Sequence, residues 1–461
     1  MASSSPASGM KGLIETRLLQ GQPLTAELAA ILLVYVVQGI LGLARLAVSF
    51  FLKDDLGLSP ATVAALTGVA ALPWTIKPLF GFMSDGLPIG GYRRRPYLVL
   101  SGLVGCAAWV ALGTVVQSAW GAIAAITVSS LSVAVSDVIV DSLVVERARG
   151  ESQATAGTLQ SLTWGASAAG GLFTAYLGGA LLEQMTTRTL FLITASFPLI
   201  VSLTAWLITE EPISDRSTWG LVKHQVSQLW GAIRQRAIWM PALFLFLWQA
   251  TPSADAAFFF FTTNDLGFGP EFLGRVRLVS NLAALIGIWV FQRFLRDVAF
   301  RSIFAWSTVL SSLLGLTSLI LITHANRSLG IDDRWFSLGD SLILTVMGQI
   351  AFMPVLVLSA RLCPPGIEAT LFALLMSIVN LAGLVSHELG ALVTHWLGVK
   401  ETDFSHLWQL VLLTNLTTLL PLPLVFLLPA VSAQGEASGD SVDPSPLEGL
   451  DRSQPVPTQS P

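Results

Sequence analysis

The length of the uncharged stretches constrains this chain most. From Pro96 to Ser136 no Lys, Arg, Asp or Glu interrupts the sequence. That is roughly twice the about 20 apolar residues that one helix needs to cross the hydrocarbon core of a bilayer. A turn at Gln117–Ser118 divides the stretch in two. Residues 56–76, 189–209, 278–292, 302–326 and 341–360 each read as one crossing, and 155–182 and 405–430 as one long helix each. Tolerating one or two polar interruptions adds 27–52, 238–262 and 368–397. The expectation is an all-α membrane protein of twelve transmembrane helices. Composition agrees, with 53% of residues hydrophobic and 12% charged. Soluble domains carry about 25% charged residues. A net charge of −4 argues against a nucleic-acid partner, and Cys106 and Cys363, in or beside apolar runs, suggest no disulfide framework.

Lys and Arg in the connections set the orientation. Sixteen fall on the side of the N-terminus and seven on the other, which places both termini in the cytoplasm. Lys11 and Arg17 would also suit the n-region of a cleaved signal peptide. An internal repeat opposes that reading, because the first helix has a later counterpart.

Shifting the sequence by 210 residues lays AVSFFLKDDLGLSP (from Ala47) over AFFFFTTNDLGFGP (from Ala257), with seven of fourteen positions identical. The same shift lays Arg45 over Asp255. A shift of 212 lays GGLFTAYLGG (from Gly170) over AGLVSHELGA (from Ala382), and Tyr176 over Glu388. Two parallel six-helix halves follow. The expected division is a cytoplasmic N-terminal segment 1–26, a first half 27–209, a cytoplasmic linker 210–237, a second half 238–430 and a disordered cytoplasmic tail 431–461. The linker holds Trp219 and Trp230 among mixed charges and suits an amphipathic surface helix. This organisation is that of a secondary transporter of major-facilitator type.

Ionisable groups at membrane depth are costly and mark function by default. Counting from helix ends puts Arg45, Asp255 and Glu388, with His387 beside it, in an outer layer. Lys77, Asp137 and Asp141 form an inner one. Lys77 with Asp141 reads equally as a structural ion pair, and Arg45 with Asp255 as a gate that breaks and reforms between the halves. Asp137 and Asp141 share a helix face at i, i+4, so their repulsion favours a proton on one of them. Arg45 and Lys77 are expected to be the only cations deep in the bundle, while Arg275 and Arg277, at the outer end of helix 8 and on different faces, could draw an anion inward. Phe258–Phe261, Trp74, Trp164 and Trp248 are read mainly as packing. The helix 5 glycines Gly165, Gly170, Gly171, Gly178 and Gly179 are read as sites of close helix approach.

Between helices 2 and 3 the chain reads KPLFGFMSDGLPIGGYRRRPYL (Lys77–Leu98), which resembles the major-facilitator signature loop. It is expected to be a cytoplasmic latch. Asp85 would pair with Arg93, Arg94 or Arg95, or with an opposing helix end, Gly81 would permit close approach, and Glu146 would join from helix 4. RFLRDVAFR, from Arg293, is a degenerate echo in the second half. Together with SDVIVDSLVVERAR (Ser136–Arg149) and PSADAAFFFFTTNDLGFGPEFLG (Pro252–Gly274), the loop resembles the folate-biopterin transporter family over roughly residues 27–430.

That resemblance implies uptake of folates or pterins with protons as the coupling ion. A pterin offers an amidine edge to a carboxylate such as Asp255 or Glu388, and the carboxylates of folate would need Arg45 and Lys77. Asp137 and Asp141 are the candidates for proton coupling. The family occurs in protozoa, plants and cyanobacteria, and the N-terminus lacks an extended Ser/Arg-rich region. A cyanobacterial plasma membrane is therefore expected rather than a plastid envelope. Alternatives are transport of another planar organic anion and a non-transporting membrane scaffold or pigment-assembly factor. No metal site, cofactor or catalytic residue is expected.

Overall fold

The computed structural model describes residues 22–148, 153–212, 229–295, 298–362 and 368–428, together with Glu15, Leu19 and Ser227. Most of the expected N-terminal segment, most of the linker, the tail and Cys363 lie outside the described residues. Within them every element is helical, apart from one isolated bridge between Ile89 and Tyr92. In chain order the segments are α1 (Ala26–Asp55), α2 (Pro60–Ala70, Leu72–Thr75 and Lys77–Gly86), α3 (Arg95–Thr114), α4 (Ala119–Ala148), α5 (Gln153–Gln184) and α6 (Thr187–Leu207). After the linker come α7 (Arg236–Gln249 and Asp255–Asn264), α8 (Pro270–Leu295), α9 (Phe300–Ile322), α10 (Asp333–Arg361), α11 (Glu368–Trp396) and α12 (Leu407–Leu427). Ten of these contain a stretch long and apolar enough to cross a membrane. The two exceptions, α2 and α7, are assembled from shorter pieces.

Both breaks have local causes. Pro73 and Pro78 each occupy the second position of a short helix, where a missing N–H is harmless. Ile76, between the two short helices, leaves helical geometry at φ −110°, ψ 19°. The crossing read from sequence as 56–76 therefore continues, bent, to Gly86. In α7 the chain unwinds around Pro252. A membrane interior requires the freed backbone groups to find protein partners, and α11 supplies them. Ser253 N donates to Ser386 O at 3.2 Å, and Ser386 Oγ donates to Thr251 O at 2.5 Å.

The repeat is visible in the helices themselves. Advancing the end of α5, Gln184, by 212 positions reaches Trp396, the end of α11. The interruption in α1 at Leu41–Gly42, advanced by 210, falls in the break of α7.

The halves meet along α5 against α8 and α2 against α11. At the end remote from the Arg93–Arg95 loop, one apolar cluster draws on both halves. It joins Phe51, Leu52, Trp109 and Phe191 to Phe260, with Phe259, Leu273 and Phe404 packed against it. Phe50 and Phe259 make an edge contact across the boundary at 5.3 Å between centroids. Phe261 turns the other way, onto Phe404. Phe259 and Phe260 of the run thus join the two halves at this far end of the bundle.

Candidate functional site

The inner layer is a contact cluster. Asp137 and Asp141 stand one turn apart on α4. Lys77, at the head of the last piece of α2, donates to Asp137 Oδ2 and lies 3.8 Å from Asp141 Oδ2. The primary partner of Lys77 is therefore Asp137, where the sequence suggested Asp141. Asp141 is taken by α1, through the Tyr35 hydroxyl donating to its Oδ1. The side chains of Lys77 and Asp137 are 13% and 12% exposed, but that of Asp141 is 47% exposed. The Lys77 ammonium also stands 5.1 Å from the Trp74 ring centroid, a cation–π contact. Two carboxylates thus face one ammonium.

The outer layer is not a contact cluster. Arg45 and Asp255 form no ion pair. Asp255 opens the second piece of α7, where the helix dipole favours a carboxylate, and its backbone N–H is held by Ser253 Oγ at 3.1 Å. Residues superimposed by the repeat are equivalents in the two halves and need not be neighbours. Arg45 instead lines a cavity of about 320 Å³ among α1, α5 and α8, together with Arg277. The expectation that Arg45 and Lys77 are the only deep cations is thereby overturned. Arg277 turns inward and donates to Gly42 O at 3.4 Å, whereas Arg275 turns outward onto Glu271 at 2.5 Å. Glu388 sits against Gly68 of α2, with its Oε1 buried and lacking a hydrogen-bond partner.

The charges of the loop between α2 and α3 centre on Arg94. Its guanidinium reaches Asp85 Oδ1 at 2.9 Å, Glu146 Oε1 at 2.7 Å and Ser84 Oγ at 2.8 Å. Burial works against its charge, but Asp85 and Glu146 outweigh that and hold it above the usual arginine range. The backbone N–H groups of Arg93, Arg94 and Arg95 all donate to Glu210, which follows α6 and caps α3 from outside. The Arg95 side chain lies over the Trp206 ring and donates to Ala205 O at 3.2 Å. Gly81 is not needed for close approach, since a Cβ there would meet Val138 Cγ1 at an ordinary 3.6 Å.

Residues 38–444 match the model of the BT1 family. The chain belongs to the BT1 family. It is 61% identical to the folate-biopterin transporter of Synechocystis sp., over 92% of this chain and 86% of that one. It is 31% identical to folate transporter 2 of Plasmodium falciparum, over 86% of this chain and 88% of the relative. Among solved structures, the nucleoside transporter NupG superimposes with a TM-score of 0.65 at 14% identity, over 87% and 97% of the two chains. The D-xylose-proton symporter gives 0.61 at 15%, over 89% and 98%. At such identities these two speak to fold, and the fold is that of the major facilitators. This BT1 member is an integral membrane protein of a transporter family.

Tyr35, Gln38 and Glu210 escaped the sequence reading of this BT1 protein, and the depth of Arg277 escaped it too. Tyr35 and Gln38 are neutral residues in an apolar helix, with nothing in their neighbourhood to single them out. Arg277 lies too near the start of its helix for its depth to show. Glu210 has a signal only in hindsight, a carboxylate just past a helix end. The helix 5 glycines divide: Gly170, Gly178 and Gly179 meet neighbouring backbone, while Gly165 and Gly171 have open space.

Proposed function

We propose that this chain is a secondary active transporter that takes up folates or pterins by alternating access, coupled to protons. Similarity to relatives named as folate or folate-biopterin transporters, along nearly the whole chain, carries this reading. The two halves rock about a shared boundary, so that substrate near the midplane faces each side in turn. The arrangement described above, closed by aromatic rings at the far end, supplies one of the two conformations. Twelve crossings with both termini in the cytoplasm put the Arg94 latch on the cytoplasmic side. The membrane is a cyanobacterial plasma membrane, a placing supported by the Synechocystis relative.

Asp137 and Asp141 are the proton-coupling pair in this proposal. Their surplus charge beside Lys77 is cancelled when one proton binds, and Tyr35 ties that change to α1. Arg45, Lys77, Asp255 and Glu388 line the substrate path as binding or gating groups. Gly81, Asp85, Arg93, Arg94, Arg95 and Glu146 belong to the latch that closes the cytoplasmic end. The test is uptake of radiolabelled folic acid by proteoliposomes, with and without an imposed proton gradient, competed by biopterin. Saturable uptake that a gradient accelerates is the expected result. Absence of both folate and pterin uptake by folded, reconstituted protein would overturn the cargo assignment.

A further inference from the structure

The cavity among α1, α5 and α8 bridges the two halves, and its lining is uneven in charge. Arg45 comes from one half and Arg277 from the other, and no Asp or Glu is among the lining residues. Among the described residues the Arg45 guanidinium has no hydrogen-bond or ion-pair partner. Arg277 has only the long contact of 3.4 Å to Gly42 O. Gln38, on the same wall, has a buried Nε2 with nothing to donate to. Asn281 places its amide at the rim, donating to Gly171 O at 3.2 Å.

Arg45 is exposed to this space and Arg277 half-buried, so two like charges stand together with no counter-charge among the lining residues, at a cost in repulsion. An anion relieves that cost by accepting charge-assisted bonds. Two guanidinium groups facing one space call for two carboxylates. At about 320 Å³ the cavity is at the small end of the about 300–1,000 Å³ usual for ligand pockets. It suits the tail of a conjugate better than the whole of it.

We infer that Arg45 and Arg277 form a dicarboxylate subsite that receives the glutamyl end of a folate, so that conjugated folates are selected over free pterins. This rests on the folate and pterin reading above. One ligand bound by both arginines also links the halves, so occupancy of the subsite pulls α1 and α8 together.

The experiment is equilibrium binding of radiolabelled folic acid and biopterin to the purified full chain, with p-aminobenzoylglutamate and pteroic acid as competitors. The wild type is expected to bind pteroic acid, which lacks the glutamate, roughly tenfold or more weakly than folic acid, the loss of one or more charged hydrogen bonds. Displacement of folic acid by p-aminobenzoylglutamate, which carries the tail without the pterin, is also expected. Arg45→Gln and Arg277→Gln are each expected to lower the ratio of folic acid to biopterin affinity by roughly tenfold or more. Lysine at either position should restore part of it. Equal loss for folic acid and biopterin, or no loss for either, would overturn the subsite. If the glutamine variants do not fold, the wild-type comparison decides, and equal affinity for folic and pteroic acids overturns it. Arginine-dependent binding of p-aminobenzoylglutamate with no pterin binding would keep the subsite and remove the pterin reading. Arginine-independent binding of both labelled ligands would do the reverse, and no binding of any probe would remove both.

Discussion

Gly179 of α5 and Gly274 of α8 touch backbone to backbone across the boundary between the halves. A Cβ on Gly179 would lie 2.8 Å from the Gly274 Cα, and one on Gly274 would lie 3.0 Å from the Gly179 Cα. Backbone cannot swing aside as a side chain can, so alanine at either position pushes the far end apart. Overpacking of this kind costs about 1–3 kcal/mol, and under the alternating-access proposal that cost falls on the conformation in which the far end is closed. Gly179→Ala and Gly274→Ala are expected to slow uptake and to increase thiol labelling of a cysteine placed at Phe50. Unchanged labelling would show that the contact does not govern closure.

Removing the one cation from a cluster with two carboxylates should harm more than removing one of each sign. Lys77→Gln leaves Asp137 with no countercharge, and breaking a buried pair in this way costs about 3–5 kcal/mol. The double variant Lys77→Gln, Asp137→Asn is expected to be more stable than Lys77→Gln alone. Thermal unfolding of the two variants in the same detergent checks the order.

Asp141→Asn preserves an acceptor for the Tyr35 hydroxyl but removes a titratable group. If the pair carries the coupling proton, this variant exchanges labelled for unlabelled folate across the bilayer yet does not accumulate it under a proton gradient. Tyr35→Phe leaves the carboxylate in place and should reduce accumulation less. Parallel exchange and accumulation assays distinguish these results. Gradient-driven accumulation by Asp141→Asn at the wild-type level would move coupling elsewhere.

Glu210 accepts from three successive backbone N–H groups at the start of α3, where Arg94 at the N-cap makes no side-chain cap of its own. Its loss resembles the loss of an N-cap, typically about 0.5–2 kcal/mol. Glu210→Ala is therefore expected to lower the unfolding temperature modestly. Glu211→Ala, next in sequence and without that role, is the control.

Much of the architecture was legible because a bilayer imposes a period and a length. Uncharged runs located eight of the ten long helices, tolerated polar interruptions added α1 and α11, the turn at Gln117–Ser118 separated α3 from α4, and the repeat at 210 and 212 residues anticipated the correspondence of α1 with α7 and of α5 with α11. The ion cluster of Asp85, Arg94 and Glu146 was legible too, since these are charges at helix ends whose complements lie in recognisable motifs. The breaks in α2 and α7 were not read. Proline in a membrane helix can bend it or end it, and the outcome depends on whether α11 is present to receive the freed backbone groups.

Partners across the bundle were the least legible. Helical periodicity reports the face on which Arg45, Lys77 or Asp141 lies, but not the rotation of one helix against the next. Asp137 and Asp141 lie on one face about one turn, ~5.4 Å, apart, so the axial offset of α2 against α4 decides which of them Lys77 meets. The repeat misled at Arg45 and Asp255 because symmetry relates positions without bringing them together. Composition, span and duplication are local or one-dimensional properties, already present in the order of residues. The pairing of Tyr35 with Asp141, the facing of Arg45 and Arg277, and the contact of Gly179 with Gly274 join helices distant in the chain. Their geometry depends on how those helices pack.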